Sequence, residues 1–199
     1  MTHLILGSGS PRRKEILDYF SLPFEQKTSN YDEESLSFDG NPLNYVSNLA
    51  HGKLIEIKKA NPDAIILTAD TVVFCEGKVY NKPKTEDEAF KALTELSGKW
   101  HSVFTAVCLY SGDRLEEPQI FQAVEETRVL FNALTPNEIR HYHSKIHWTD
   151  KAGGYAIQMG AGLIVNKIDG CFYNVMGLPI NTVRRLLKNI NIELWDYVK

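Results

Sequence analysis

Cysteine is scarce in this sequence of 199 residues, with three copies at positions 75, 108 and 171. Their number is odd, they lie far apart, and no two of them form a Cys-x-x-Cys pair. This pattern indicates neither a disulfide framework nor a structural zinc site. We therefore expect a protein of the reducing cytoplasm.

Long apolar runs are also missing. A membrane-spanning helix needs about 20 consecutive, mostly apolar residues, and no stretch of the sequence approaches that length. The first residues, MTHLILG, lack the basic and then apolar stretch of a signal peptide. The sequence predicts neither insertion into a membrane nor export.

The sequence also lacks an excess of positive charge, because it has 22 Lys and Arg residues and 25 Asp and Glu residues. A long nucleic-acid backbone is bound through a broad positive field, so we expect no nucleic-acid partner. Any polyanion that this protein binds should be small and held by a local group of cations.

Strand-like and helical segments alternate along the chain. Apolar runs typical of strands occupy 64–74, 103–110, 123–131 and 163–168, and the turn 111–113 predicts a hairpin between the second and third. Helix starts are marked at positions 10–11, 41–42, 85–88 and 135–138, and a last amphipathic helix spans about 181–189. We predict an α/β fold over 1–199, a single domain with a mixed twisted sheet, flanking helices and two lobes around a central cleft.

The first candidate site is the loop GSGSPRR at 7–13, which enters a helix. Helix N-termini present unpaired N–H groups to anions, small residues let a phosphate approach the backbone, and Arg12 and Arg13 add permanent charge. The loop matches neither a Walker motif nor a dinucleotide fingerprint. It predicts a triphosphate-binding loop that includes Ser8, and the alternative is a capped helix with two solvated arginines.

Two charged residues fall on apolar faces. Lys53 lies in the apolar stripe of a predicted helix, where it either extends past the edge of the core or reaches a buried anion. Asp70 lies inside the buried strand 64–74, where a carboxylate is costly unless it is paired, protonated or metal-bound. Asp70 is therefore a candidate general base or magnesium ligand, with a structural salt bridge as the alternative. Glu33 could supply a second carboxylate.

Six strings taken in order resemble the successive motifs of the Maf (septum formation) family. They span nearly the whole chain: GSGSPRR (7–13), ADTVV (69–73), KP (82–83), LSGK (96–99), KAGGYAIQ (151–158) and NVMGLP (174–179). The resemblance implies a fold shared with inosine triphosphate pyrophosphatases, a homodimer and a divalent metal. It also implies hydrolysis of a nucleoside triphosphate to the monophosphate and pyrophosphate.

The resemblance assigns roles to residues as well. Asp70 matches the family's proposed proton acceptor, and Glu33, Lys53 and Lys82 match its other charged cleft positions. Ser8, Arg12 and Arg13 match its phosphate loop. We expect a Mg²⁺ or Mn²⁺ ion to be held by Glu33 and Asp70 together with the triphosphate oxygens.

Substrate choice is indicated by Arg12, Thr71 and Gln158, which resemble the family branch that acts on dTTP and UTP. Modified pyrimidine nucleotides and inosine or xanthosine triphosphate remain alternative substrates. A nucleotide-binding regulator of cell division without significant turnover is the alternative function. Two positions depart from the family pattern: Gly7 stands where Ala is more frequent, and Cys171 where an acidic residue is usual.

Overall fold

The computed structural model describes residues 3–199, apart from the side chain at position 159. The strands are β1 (Leu4–Gly7), β2 (Phe24–Gln26), β3 (Ile65–Cys75), β4 (Lys78–Tyr80), β5 (Trp100–Tyr110), β6 (Ile120–Phe131) and β7 (Val165–Asp169). The α-helices are α1 (Pro11–Leu17), α2 (Pro42–Ala60), α3 (Glu86–Leu96), α4 (Pro136–His143), α5 (Phe172–Met176) and α6 (Ile180–Lys188). Short 3₁₀ helices occupy Glu33–Ser35, Gly112–Arg114, Ala152–Gly154, Met159–Leu163 and Leu194–Tyr197.

All seven strands form one sheet in the order β2-β1-β3-β5-β6-β7, with β4 also pairing with β3. Strand β1 runs parallel to β2 and β3, and the remaining pairs are antiparallel. The predicted mixed α/β fold is confirmed, as is the hairpin of β5 and β6. The last strand begins at Val165 instead of 163, because 159–163 forms a 3₁₀ helix.

Helices α1 to α4 begin where the sequence predicts, but at α1 the Ser10 side chain makes no capping hydrogen bond. The Asn41 side chain accepts hydrogen bonds from the second and third N–H groups of α2. Thr135 and Glu138 form a complete capping box at α4. At α3, Thr85 accepts from the Glu88 N–H, but the Glu88 carboxylate accepts from the Lys84 N–H instead of the Thr85 N–H. Each cap satisfies N–H groups that the first helical turn leaves unpaired.

Three clusters of buried apolar side chains hold the layers together. One joins β1, β3 and β5 to α1 and α6 on one face of the sheet, and a second joins the same strands to α2 on the other face. The third lies at the far ends of β3, β5 and β6, under α3 and α4, and forms a smaller lobe. The cleft lies between this lobe and the other two clusters.

The edge of β3 that faces β1 is interrupted. Pairing with β1 ends at Thr68 and pairing with β4 begins at Val73, whereas on the opposite edge β5 pairs from Ile66 to Phe74. Residues 69–72 therefore have no strand neighbour on the first edge within the described chain. A crevice at the carboxyl end of a strand is where open α/β sheets bind ligands, and the loop 7–13 leaves β1 at this point.

Within residues 3–199, none of the helices combines the length and the apolar character that crossing a bilayer requires.

Candidate active site

The loop after β1 packs closely against the sheet. A Cβ atom at position 7 would lie 2.6 Å from both the Ile57 Cδ1 and the Thr68 Cγ2 atoms, so a larger residue than Gly7 would force these side chains to shift. The Ser8 hydroxyl accepts a hydrogen bond from the Ser10 N–H at 3.2 Å, and Gln26 Nε2 donates to the Ser8 carbonyl at 2.7 Å. The loop is thereby fixed at the end of β1.

Arg13 is a partly buried residue that connects three chain segments. Its Nε donates to the Gly177 carbonyl at 2.7 Å, and its terminal nitrogens donate to the Ser8 and Thr71 hydroxyls, each at 3.0 Å. Burial lowers the pKa of the Arg13 guanidinium, and the nearby Asp70 opposes that shift. Arg13 therefore fixes the loop to β3 and to the turn after α5.

Gly177 is required at that turn. It ends α5 in the left-handed region with φ 106°, and a Cβ atom there would lie 3.2 Å from Thr71 Oγ1 and 3.4 Å from Arg13 Nε. A side chain would be strained by the backbone and would press on the two residues that Gly177 helps to place.

Arg12 points away from Arg13, toward the smaller lobe. One of its terminal nitrogens donates to Asp150 Oδ2 at 2.7 Å, and the other donates to the Asp150 carbonyl at 3.1 Å. The Asp150 carboxylate also accepts from Lys151 Nζ at 2.5 Å. Arg12 thus links the two walls of the cleft.

The ammonium group of Lys53 lies between two carboxylates. It contacts Asp70 Oδ1 directly and lies 2.9 Å from Glu33 Oε1, while Lys82 Nζ lies 3.8 Å from Glu33 Oε2. Lys53 and Asp70 are 8% and 5% exposed. Of the two interpretations of Lys53, the structure shows the one in which it reaches a buried anion, and this pairing offsets the cost of burying Asp70.

Glu33 is charged despite its partial burial. Burial alone would raise the pKa of its carboxyl group, but the positive charges of Lys53, Lys82 and Arg13 outweigh that effect and lower the pKa below its ordinary value. The carboxylate is therefore available as an anionic ligand throughout the neutral range.

Helix α2 positions Glu33 as well as Lys53. The Tyr31 ring packs against the helix at Gly52, where a Cβ atom would come within 2.4 Å of the ring. One turn further, the Glu56 carboxylate accepts from the Ser29 hydroxyl at 2.9 Å and from the Asn30 N–H at 3.2 Å. These contacts hold the segment that carries Glu33 against the helix that carries Lys53.

Thr71 points to the opposite face of β3 from Asp70, since neighbouring strand residues alternate. Its hydroxyl accepts from Arg13 and lies 2.9 Å from the hydroxyl of Thr105, its partner on β5. Thr105 in turn donates to the Asn174 carbonyl at 3.0 Å. The interrupted edge of β3 thus presents a charged residue on one face and a hydroxyl network on the other.

The smaller lobe supplies an aromatic wall. The Tyr155 hydroxyl lies 2.8 Å from His101 Nε2, and both rings pack edge-on against Phe131. Burial lowers the pKa of His101 to about 4. His101 is therefore a neutral structural side chain at neutral pH.

One cavity of about 410 Å³ joins these groups, within the size range of small-molecule sites. It is lined by all nine side chains that the sequence singled out: Ser8, Arg12, Arg13, Glu33, Lys53, Asp70, Thr71, Lys82 and Gln158. Three phosphate-loop residues, the carboxylate and lysine group and Gln158 therefore face a common space.

The model of the family described as "Maf-like protein" matches residues 3–190. This chain belongs to the Maf-like family. The resemblance identified from the six motifs is confirmed.

Relatives of this Maf-like chain are similar over almost their whole length. A Chlamydia felis protein named dTTP/UTP pyrophosphatase is 46% identical over 196 residues, which is 98% of this chain and 97% of the relative. One of the same name from Clostridium perfringens is 42% identical over 192 residues, covering 96% and 98%. A Chlamydia muridarum nucleoside triphosphate pyrophosphatase is 40% identical over 198 residues, covering 99% and 98%.

Among solved structures, the Staphylococcus aureus Ham1 protein aligns with 94% of this Maf-like chain and 99% of its own, at 13% identity and a TM-score of 0.48. A TM-score below 0.5 does not by itself establish a common fold.

The donor set of this Maf-like site fits a hard divalent cation. Glu33 and Asp70 contact the same ammonium group, and both offer carboxylate oxygens. Across the described residues, no group of three or more His, Cys, Asp or Glu side chains is arranged so that it could hold a metal ion. Mg²⁺ typically binds through one or two carboxylates together with substrate phosphates, so two protein ligands are sufficient for such an ion.

Sequence reasoning missed several residues that shape the Maf-like site. Asp150, Tyr31 and Glu56 carry no local signal, because each is a polar or aromatic residue at an ordinary position. Gly177 belongs to the motif NVMGLP, and a glycine directly after a short helix is a usable signal for a left-handed cap.

Proposed function

We propose that this Maf-like protein hydrolyses dTTP and UTP to the corresponding monophosphate and pyrophosphate. The observation that carries the proposal is the meeting of Asp70, Glu33 and Lys53 with the phosphate loop in a single cavity. The names of relatives at 40–46% identity support the same reaction and the same substrates.

In the proposed reaction, a water oxygen attacks the α-phosphorus and forms a new P–O bond. The bond from the α-phosphorus to the bridging oxygen breaks, and pyrophosphate leaves with the electron pair. Asp70 accepts the proton of the attacking water, a step that contributes about 10²–10⁴-fold in enzymes of this kind. Its carboxylate is held by the ion pair with Lys53.

The cations neutralise the negative charge of the triphosphate and of the departing pyrophosphate. Electrostatic stabilisation by fixed cations is the main contribution to phosphoryl transfer. Arg12, Arg13 and Lys82 all line the cavity. Arg13 uses three of its five N–H donors on protein acceptors, so besides its charge it contributes by holding Ser8 and Thr71 in place.

We propose that Mg²⁺ or Mn²⁺ binds at Glu33 and Asp70 together with the substrate. When bound, such an ion supplies Lewis-acid polarisation of the phosphate oxygens. The lowered pKa of Glu33 keeps its carboxylate in the ionised form that this binding needs. We also expect a homodimer, as the family resemblance implies, and a location in the cytoplasm, as the cysteine pattern indicates.

We assign selection of the base to Gln158. Gln158 lines the cavity together with Arg12 and Thr71, and its amide can both donate to and accept from the edge of a pyrimidine. The proposal therefore names dTTP and UTP as the preferred substrates.

The test is a panel of canonical and modified nucleoside triphosphates, with pyrophosphate release measured in Mg²⁺ or Mn²⁺ and again after chelation. We expect metal-dependent release that is fastest with dTTP and UTP. Faster release from inosine or xanthosine triphosphate would transfer the assignment to those substrates. Nucleotide binding without release on any of them would favour the regulator of cell division.

A further inference from the structure

We propose that Asp150 is a positioning residue that holds Arg12 and Lys151 side by side at the triphosphate. The inference rests on the proposed function and deepens it. Its basis is one carboxylate that joins the phosphate loop to the opposite wall of the cleft, which we call the Asp150 clasp.

The Asp150 carboxylate binds a different cation with each of its two oxygens. Arg12 donates from both terminal nitrogens, to Oδ2 at 2.7 Å and to the main-chain carbonyl of Asp150 at 3.1 Å. The other carboxylate oxygen, Oδ1, accepts from Lys151 Nζ at 2.5 Å. Bonds to both the side chain and the backbone of one residue fix the plane of a guanidinium group, which a single ion pair does not do.

The clasp leaves Arg12 free to bind a ligand. A guanidinium group has five N–H donors, and the clasp uses one on each terminal nitrogen. The negative charge of Asp150 is flanked by two cations, so the group keeps a net positive charge toward the cavity. Burial would raise the pKa of Asp150, but Lys151 and Arg12 lower it below its ordinary value, so the carboxylate is ionised.

The segment that carries Asp150 is itself anchored in the smaller lobe. The Gly153 N–H donates to the Asn81 carbonyl at 3.1 Å, next to Lys82, and His143 Nε2 lies 3.2 Å from the Gly154 carbonyl. The Lys151 ammonium also donates to the His147 carbonyl. The clasp therefore connects Arg12 to the same structural unit as Lys82, and it sets the separation of the two cations.

The experiment measures the KM for dTTP and the Kd for inorganic tripolyphosphate, the latter by calorimetry. Asp150→Asn keeps the size of the side chain and removes its charge. We expect both constants to rise about tenfold, the range for losing a charge-assisted hydrogen bond in a partly exposed pair, with a smaller change in kcat. Asp150→Glu should recover part of the loss.

Asp18→Asn is the matched control. It removes one carboxylate from an exposed pair with Lys14 on the same helix as Arg12, so the change in net charge is identical. Both of its constants should equal those of the wild type, and thermal unfolding should show that all variants are folded.

A double-mutant cycle separates positioning from general structural damage. If Asp150 acts through Arg12 and Lys151, Asp150→Asn should cause a smaller loss in an Arg12→Ala background than in the wild type, and no further loss when Arg12 and Lys151 are both replaced by Ala. Additive losses would overturn the proposal. Tighter tripolyphosphate binding by Asp150→Asn would also overturn it, because Asp150 would then compete with the phosphate for Arg12.

The tripolyphosphate measurement distinguishes failure of the clasp from failure of the proposed reaction. Wild-type protein that binds tripolyphosphate with the expected coupling but releases no pyrophosphate from any nucleotide would disprove only the reaction. Wild-type protein that binds neither tripolyphosphate nor dTTP would disprove the clasp.

Discussion

Replacing Gly52 with Ala should lower the activity of the protein much more than its stability. The added Cβ atom would lie 2.4 Å from the Tyr31 ring, whereas carbon atoms in contact are about 3.5 Å or more apart. The ring must therefore retreat by about 1 Å or swing away, and Tyr31 lies two residues before Glu33. A displacement of about 1 Å at a reacting group can cost roughly 10²-fold in rate.

Stability should change less than activity. Overpacking typically costs about 1–3 kcal/mol, but alanine is more favourable than glycine inside a helix by about 1 kcal/mol. We therefore expect a loss of at most about 2 kcal/mol in the free energy of unfolding, with kcat/KM for dTTP falling about tenfold to a hundredfold. Urea unfolding and pyrophosphate release measure the two quantities.

Two further variants test the reasoning. Gly162→Ala adds the same methyl group at a site where, apart from its chain neighbours, no heavy atom of the described residues lies within 4 Å, so it should leave kcat/KM unchanged. Tyr31→Ala should reduce activity as Gly52→Ala does, and the double variant should be no worse than either. Full activity in Gly52→Ala would refute the argument, since the ring could then move without disturbing Glu33.

Two other predictions follow from the buried groups. Asp70→Asn should lower kcat by about 10²–10⁴-fold, and pyrophosphate release within tenfold of wild type would exclude Asp70 as the proton acceptor; the exposed Asp113→Asn is the control. His101 should make the protein less stable in acid. Its folded pKa of about 4 lies below its ordinary value, so below pH 6.5 the unfolded chain binds a proton that the folded chain does not. We expect the free energy of unfolding, measured in urea, to fall by about 2 kcal/mol between pH 7 and pH 5, and to fall less in His101→Phe. An equally steep dependence of this free energy on pH in His101→Phe would contradict the assignment.

Much of the fold could be predicted because its signals are local. Strand β3 is a run of apolar residues, and the capping residues Asn41 and Thr135 stand directly before the helices that they begin. The same holds for part of the site. Lys53 and Asp70 are charged residues at positions where the pattern of their own helix or strand predicts burial. Each segment alone therefore indicates that the charge needs a partner.

The rest could not be predicted because it depends on contacts between distant segments. Asp150 is separated from Arg12 by 138 positions, and nothing near it in the sequence identifies its partner. The lack of space for a side chain at Gly7 is a second example. It arises from Ile57 and Thr68, which approach position 7 only when α2 packs on β3. Hydrophobic periodicity and capping residues predict the helices and strands and which of their faces are buried. Contacts between residues far apart in the sequence can be seen only in the assembled fold.

The bond from Arg13 to Gly177 spans 164 positions, and it bears on how the protein is made. At roughly 5–20 residues per second, a ribosome needs about ten to thirty seconds between synthesising the loop and synthesising its anchor. During that interval the nascent loop has no acceptor for the Arg13 Nε donor. For part of it, β1 also cannot pair with β3, which has not yet been synthesised. Catalytic competence should therefore emerge late in translation, after nearly the entire chain has left the exit tunnel.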